Sequence, residues 1–170
     1  MPKKTTTLLF LIFVFCSLSC SEPECGSTAV FPVMRIKLYK LPLFGRPTDL
    51  DTSVAFLEIV GVLDGKEGSP IYVDTTKTQI DLPLSSLENQ STYIFRYKNL
   101  SEDRITFKYN RKNVLISEVC GFAVNFDSLR TDKTQPRFRE MYNFIDSIYV
   151  RKPLVSTENE IHIKMYFYLR

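Results

Sequence analysis

Ile161–His162–Ile163–Lys164–Met165–Tyr166–Phe167–Tyr168–Leu169 alternates without a break. Ile161, Ile163, Met165, Phe167 and Leu169 form an apolar file, and His162, Lys164, Tyr166 and Tyr168 form a polar and aromatic one. Successive side chains of an extended chain leave on opposite faces, so period two in β-branched and aromatic residues marks a half-buried strand. The same pattern recurs upstream. Met34, Ile36 and Leu38 alternate with Arg35, Lys37 and Tyr39. Tyr93, Phe95 and Tyr97 alternate with Thr92, Ile94 and Arg96, and Ile105, Phe107 and Tyr109 with Arg104, Thr106 and Lys108.

Two stretches are more continuously apolar, Val54–Leu63 and Val114–Phe126, and read as central strands bent at Gly61 and Gly121. Asp64–Gly65 and Glu67–Gly68 carry turn chemistry, and residues 99–103 and 110–113 read as hairpin loops. Pro136–Phe144 is the one helical candidate, with Pro able to open a short turn. Seven to nine strands in a chain of 170 residues predict an all-β fold, an antiparallel β-sandwich of immunoglobulin-like or jelly-roll-like type. An eight-stranded outer-membrane barrel is the rival of similar length, disfavoured by the charged loops, the six Gly and the N-terminal segment.

That segment reads as an export signal over residues 1–19. Lys3 and Lys4 precede the apolar run Leu8–Phe15, which is too short to span a bilayer. Ser17–Leu18–Ser19–Cys20 resembles the lipobox of bacterial lipoproteins, which makes Cys20 the lipidation site. An ordinary secretory signal with Cys20 as a spectator is the alternative. Acyl chains contribute about 0.8 kcal/mol per buried methylene, so several of them would hold the protein on a membrane permanently. Residues 20–30 then form a lipidated tether and residues 31–170 a single domain. Without Lys3 and Lys4, 20 basic residues face 19 acidic ones. That balance gives no reason to expect nucleic acid as a partner.

Cys25 and Cys120 remain once Cys16 is removed and Cys20 is acylated. In an oxidising envelope an even pair suggests a disulfide. A loop near 100 residues would stabilise by about 4–5 kcal/mol in the chain-entropy account. The alternative is a buried Cys120 and a free Cys25. No metal and no cofactor is expected, because two Cys and one distant His make no recognised ligand spacing.

His162 is the single His, and it reads as a solvated strand residue with no nucleophile or orienting acid framed around it. Asp49–Leu50–Asp51 and Glu158–Asn159–Glu160 lack the oxygen spacing of a calcium loop and read as exposed turn acids. The basic pairs Arg137 with Arg139 and Arg151 with Lys152 read as solvated surface. Asp74–Thr75–Thr76, Asp127–Ser128–Leu129 and Asp146–Ser147–Ile148 each resemble a short bacterial O-glycosylation pattern. No enzymatic site is expected. His162, Lys164, Tyr166 and Tyr168 form the candidate binding face, since aromatics on a sheet face stack on sugar rings or anchor protein contacts.

Val114–Leu115–Ile116–Ser117–Glu118–Val119–Cys120–Gly121–Phe122 with Asn125–Phe126 resembles a family of Bacteroidota envelope lipoproteins of unknown function. So do Ile145–Asp146–Ser147–Ile148–Tyr149–Val150 and Asn159–Glu160–Ile161–His162–Ile163. The resemblance implies an outer-membrane lipid anchor, on the periplasmic or the surface-exposed side, and an outer-membrane β-barrel protein as partner. It carries over no catalytic residue. The expected function is that of a non-enzymatic, outer-membrane-anchored lipoprotein, an accessory or structural subunit of an envelope assembly. A glycan- or ligand-binding module on the cell envelope is the alternative.

Overall fold

The structure is a computed structural model that describes residues 32–41, 49–98, 101–117, 121–133, 144–156 and 159–167. Cys20, Cys25, Cys120, Tyr168 and most of the Pro136–Phe144 candidate lie outside those residues. Among the described residues ten strands follow one another: β1 (Val33–Lys40), β2 (Leu50–Asp51), β3 (Val54–Leu63), β4 (Lys66–Lys77), β5 (Gln79–Pro83), β6 (Gln90–Tyr97), β7 (Glu102–Ser117), β8 (Gly121–Lys133), β9 (Ile145–Val150) and β10 (Ile163–Phe167). They form two five-stranded sheets. Sheet A has the order β2-β1-β10-β9 with β5 also on β1, and sheet B runs β4-β3-β6-β7-β8. The count exceeds the expected seven to nine by one strand, and β2 is only two residues long.

The apolar files face inward and pack the sheets against each other. Sheet A contributes Met34, Ile36, Leu38, Ile80, Leu82, Ile163, Met165 and Phe167, while Phe56, Phe95, Tyr97, Ile105, Phe107 and Tyr109 come from sheet B. Ring contacts cross the interface, with Phe56 and Tyr97 both set edge-on to Phe167. Two stacked sheets with a packed interior make a sandwich, not a barrel. Asp103 joins the layers by a polar route. Its buried carboxylate on β7 accepts from Tyr97 Oη at 3.0 Å and from the Ile145 N–H of β9 at 3.1 Å.

Among the described strands all pairs are antiparallel except one. β1 and β10 run parallel, with Ile36 opposite Ile163 and Phe167 opposite Lys40. β4 passes into β5 across Thr78 alone, so the chain changes sheet at a corner. Free edges there are closed by side chain and loop. Tyr72 Oη donates to the Asp81 carbonyl and accepts from the Asp81 N–H, both at 3.2 Å, as a neighbouring strand would. Along β8, Phe126 and Val155 exchange both backbone hydrogen bonds, and the Leu129 N–H donates to the Pro153 carbonyl. Such covering keeps an edge from pairing with another chain.

Three local expectations are corrected. The stretch 114–126 is not one central strand: residues 114–117 and 121–126 are the distal arms of the β7–β8 hairpin, with Leu115 opposite Phe122 and Ser117 opposite Gly121. Asn110–Asn113 is not a turn but the middle of β7, where the register with β8 shifts. Glu67–Gly68 lies within β4, and the β3–β4 turn is Asp64–Gly65 alone. Both turn residues have positive φ, 51° and 74°, the geometry whose twist matches a two-residue hairpin.

Candidate functional site

The outward file of sheet A gathers the polar and aromatic residues of three strands. The parallel register sets Lys37 beside Lys164 and Tyr39 beside Tyr166. The antiparallel register of β10 with β9 sets Lys164 beside Tyr149. Tyr39 and Tyr166 stack at 5.4 Å between ring centroids, and Tyr149 stands edge-on to Tyr166 at 5.6 Å. The Lys164 ammonium lies 5.5 Å from the centre of the Tyr39 ring, within reach of a cation–π contact.

The segment before β2 closes over this cluster. Asp49 accepts from Lys164 Nζ at 2.5 Å and from Tyr166 Oη at 2.7 Å. Those two donors hold the Asp49 carboxyl below its ordinary value. Burial and the Asp49 carboxylate push the Tyr166 phenol up to about 12, so it stays protonated and donating. Lys37 pairs with Asp51 at 2.8 Å, and Arg35 with Asp81 through both oxygens. The two acids that read as plain turn residues are therefore the counter-ions of this face. Tyr39 and Tyr166 are buried by it, while Tyr149 is 53% exposed.

His162 departs from the expectation of a solvated strand residue. It is buried, at 1% exposure. Its Nδ1 accepts the Arg35 N–H at 3.1 Å, and its own N–H donates to the Arg35 carbonyl at 3.0 Å. The ring is consequently neutral with its proton on Nε2, an assignment that follows from the hydrogen bond. Burial and then the Arg35 charge lower its pKa, with Glu160 opposing. Of the four residues expected on the face, Lys164 and Tyr166 meet there, His162 is turned into the strand pair, and Tyr168 lies outside the described residues. Tyr39, Tyr149 and Asp49 were missed as site residues. Tyr39 was visible as the third member of a polar file, but its partner strand was not.

The outer face of sheet B is a different construction. Arg96 reaches Glu58 at 2.5 Å, Glu67 at 2.6 Å and Glu102 at 3.2 Å, above the buried pair Val60 and Ile94. The three carboxylates raise the Arg96 pKa further, and the ion pairs link β6 to β3, β4 and β7. An open groove of about 320 Å³ lies where the β3–β4 hairpin approaches the loop before β6, lined by Leu63, Ile71, Pro83, Ser85, Glu88 and Tyr93 among others. Among the described residues no three His, Cys, Asp or Glu side chains come together to hold a metal ion. Ser147 Oγ is buried and has no hydrogen-bond partner among the described residues, so its hydroxyl is closed to a glycosyl donor in the folded domain. Ser128 is exposed at a positive-φ position of β8.

A family model described as a family of unknown function (DUF6452) matches residues 56–167, about two thirds of the chain, from β3 to the end of β10. No curated protein and no solved structure matches.

Proposed function

The chain belongs to DUF6452, and we propose that it works as a non-enzymatic, lipid-anchored lipoprotein of the bacterial outer membrane, an accessory subunit that docks on an outer-membrane β-barrel protein. The observation that carries the docking part is the outer face of sheet A. Its tyrosines are held by stacking, and its cations by Asp49, Asp51 and Asp81. A surface fixed in this way presents Tyr149 with little conformational entropy left to lose on binding, which suits an aromatic anchor in a protein contact. The lipobox ending at Cys20 supports the anchor.

Cys20→Ala is expected to move the protein from the membrane to the soluble fraction, and a membrane-bound variant would reject the anchor. Tyr149→Ala in the anchored protein is expected to abolish co-purification of a stoichiometric β-barrel partner from mildly solubilised outer membranes. Undiminished recovery of that partner would move the contact elsewhere. The glycan-binding alternative draws on the same exposed ring. It predicts glycan-array signal lost in the same variant with no protein partner recovered.

A further inference from the structure

Strand direction places several features at one end of the sandwich. Val33, where the described chain begins its first strand, lies opposite Pro83 at the end of β5. From Pro83 a short loop leads to Gln90, the start of β6, which pairs with Lys108. The Asp64–Gly65 turn is at this end too, since Val62 pairs with Thr92. β7 does not stop there. It continues from Lys108 to Ser117 with β8 as its partner, on the order of 30 Å of extended ribbon at 3.4 Å per residue. The N-terminal segment therefore leaves from the end at which the β7–β8 hairpin projects.

Large apolar side chains are exposed beside the turns at this end. Phe122 is 72% exposed and Leu115, directly opposite, 53%. Leu87 in the loop before β6 is 77% exposed, and Leu63 beside the Asp64–Gly65 turn 52%. A cationic collar sits behind the hairpin tip. Arg111 is held by the Asn89 Oδ1 at 2.9 Å and the Ser86 carbonyl at 2.7 Å, both neutral, and it makes no ion pair among the described residues. Lys112 beside it is exposed, with no carboxylate partner among the described residues. Exposed apolar side chains backed by basic residues are the arrangement of interfacial membrane segments, with apolar side chains below the headgroups and cations among anionic phosphates.

We propose that this end of the sandwich docks on an anionic lipid surface, with Leu115 and Phe122 inserted at the interface and Arg111 and Lys112 at the headgroups. The occupant follows from where the chain leads: the residues before Val33 depart from this end, and under the reading above they carry the acyl anchor at Cys20. Docking rests on that reading for its geometry but is separately testable. It fixes which end of the domain meets the bilayer and leaves the outer face of sheet A free for a protein.

The chain has no Trp, so one substitution supplies a clean reporter. Phe122→Trp in the lipidated protein, on vesicles of phosphatidylethanolamine and phosphatidylglycerol, is expected to show a blue-shifted emission and loss of acrylamide quenching. Leu50→Trp on β2, at the opposite end, is expected to show neither. Adding Arg111→Gln and Lys112→Gln should reverse the shielding at position 122. If the protein floats with the vesicles while Phe122→Trp stays open to acrylamide, the docking is wrong and the anchor stands. The acyl-free Cys20→Ala chain isolates the other case. A blue shift at high phosphatidylglycerol keeps the docking even where the anchor fails, and no shift in either form overturns it. Shielding that requires added outer-membrane protein rather than lipid also overturns it, in favour of a protein partner at this tip.

Discussion

His162 shows what burial does to a single titratable residue. Its Nδ1 can accept the Arg35 N–H only while the ring is neutral, and burial together with Arg35 opposes its charging. Lys152 adds to that opposition, and Glu160 and Asp81 act against it. The folded pKa therefore lies below the reference value of 6.5. Above 6.5 neither state is protonated and the contribution to stability is complete. As pH falls below it, the unfolded chain takes the proton first and stability is lost until pH passes the lowered native value. Thermal melts of the wild type are thus expected to lose more between pH 7.5 and 5.5 than those of His162→Asn, which keeps an acceptor but does not titrate. Parallel pH slopes would remove this role. None of it could be read from the alternating file, which assigned His162 to the polar side. The residue is hidden because β1 lies against it, and a single strand's pattern says nothing about its neighbour.

Among the elements, the β3–β4 hairpin was the most legible and the β7–β8 hairpin the least. Asp64–Gly65 announces a two-residue turn by chemistry, and the positive φ of both residues confirms it. Gly65→Val places a branched side chain at φ 74°, where nothing collides but the backbone conformation itself is disfavoured. The expected cost is about 1–2 kcal/mol, measured as a lowered urea midpoint with unchanged slope, and an unchanged midpoint would mean the turn had reshaped. β7 misled for the opposite reason. Asn110, Arg111, Lys112 and Asn113 have turn-like composition, yet they continue a strand, because β8 supplies their hydrogen bonds for the whole length. Gly121, at φ 71°, opens β8 inside a stretch whose hydrophobicity suggested the interior. Within it Phe126 is buried in the core while Leu115 and Phe122 are exposed, so an apolar run alone does not tell a core strand from an exposed ribbon.

For the whole molecule, the two-layer all-β architecture was legible from period-two files, and the inward residues of β1, β6, β7 and β10 are the ones those files named. Strand order was not. Nothing in either segment signals that the first long strand pairs parallel with the last one, because parallel and antiparallel neighbours impose the same alternation. That pairing brings Arg35 and His162 together across 127 positions. Deleting residues 161–170 removes β10 from between β1 and β9, and is expected to abolish the cooperative thermal transition. A truncated chain that still melts in one sharp step would show that β9 can take its place.

Since β1 is completed on one side only by β10, a chain delivered N-terminus first holds its opening strand half-bare until nearly the last residues have emerged. Contacts this distant in sequence form slowly. Until then that open edge is the part of the nascent chain most able to pair with a sister chain.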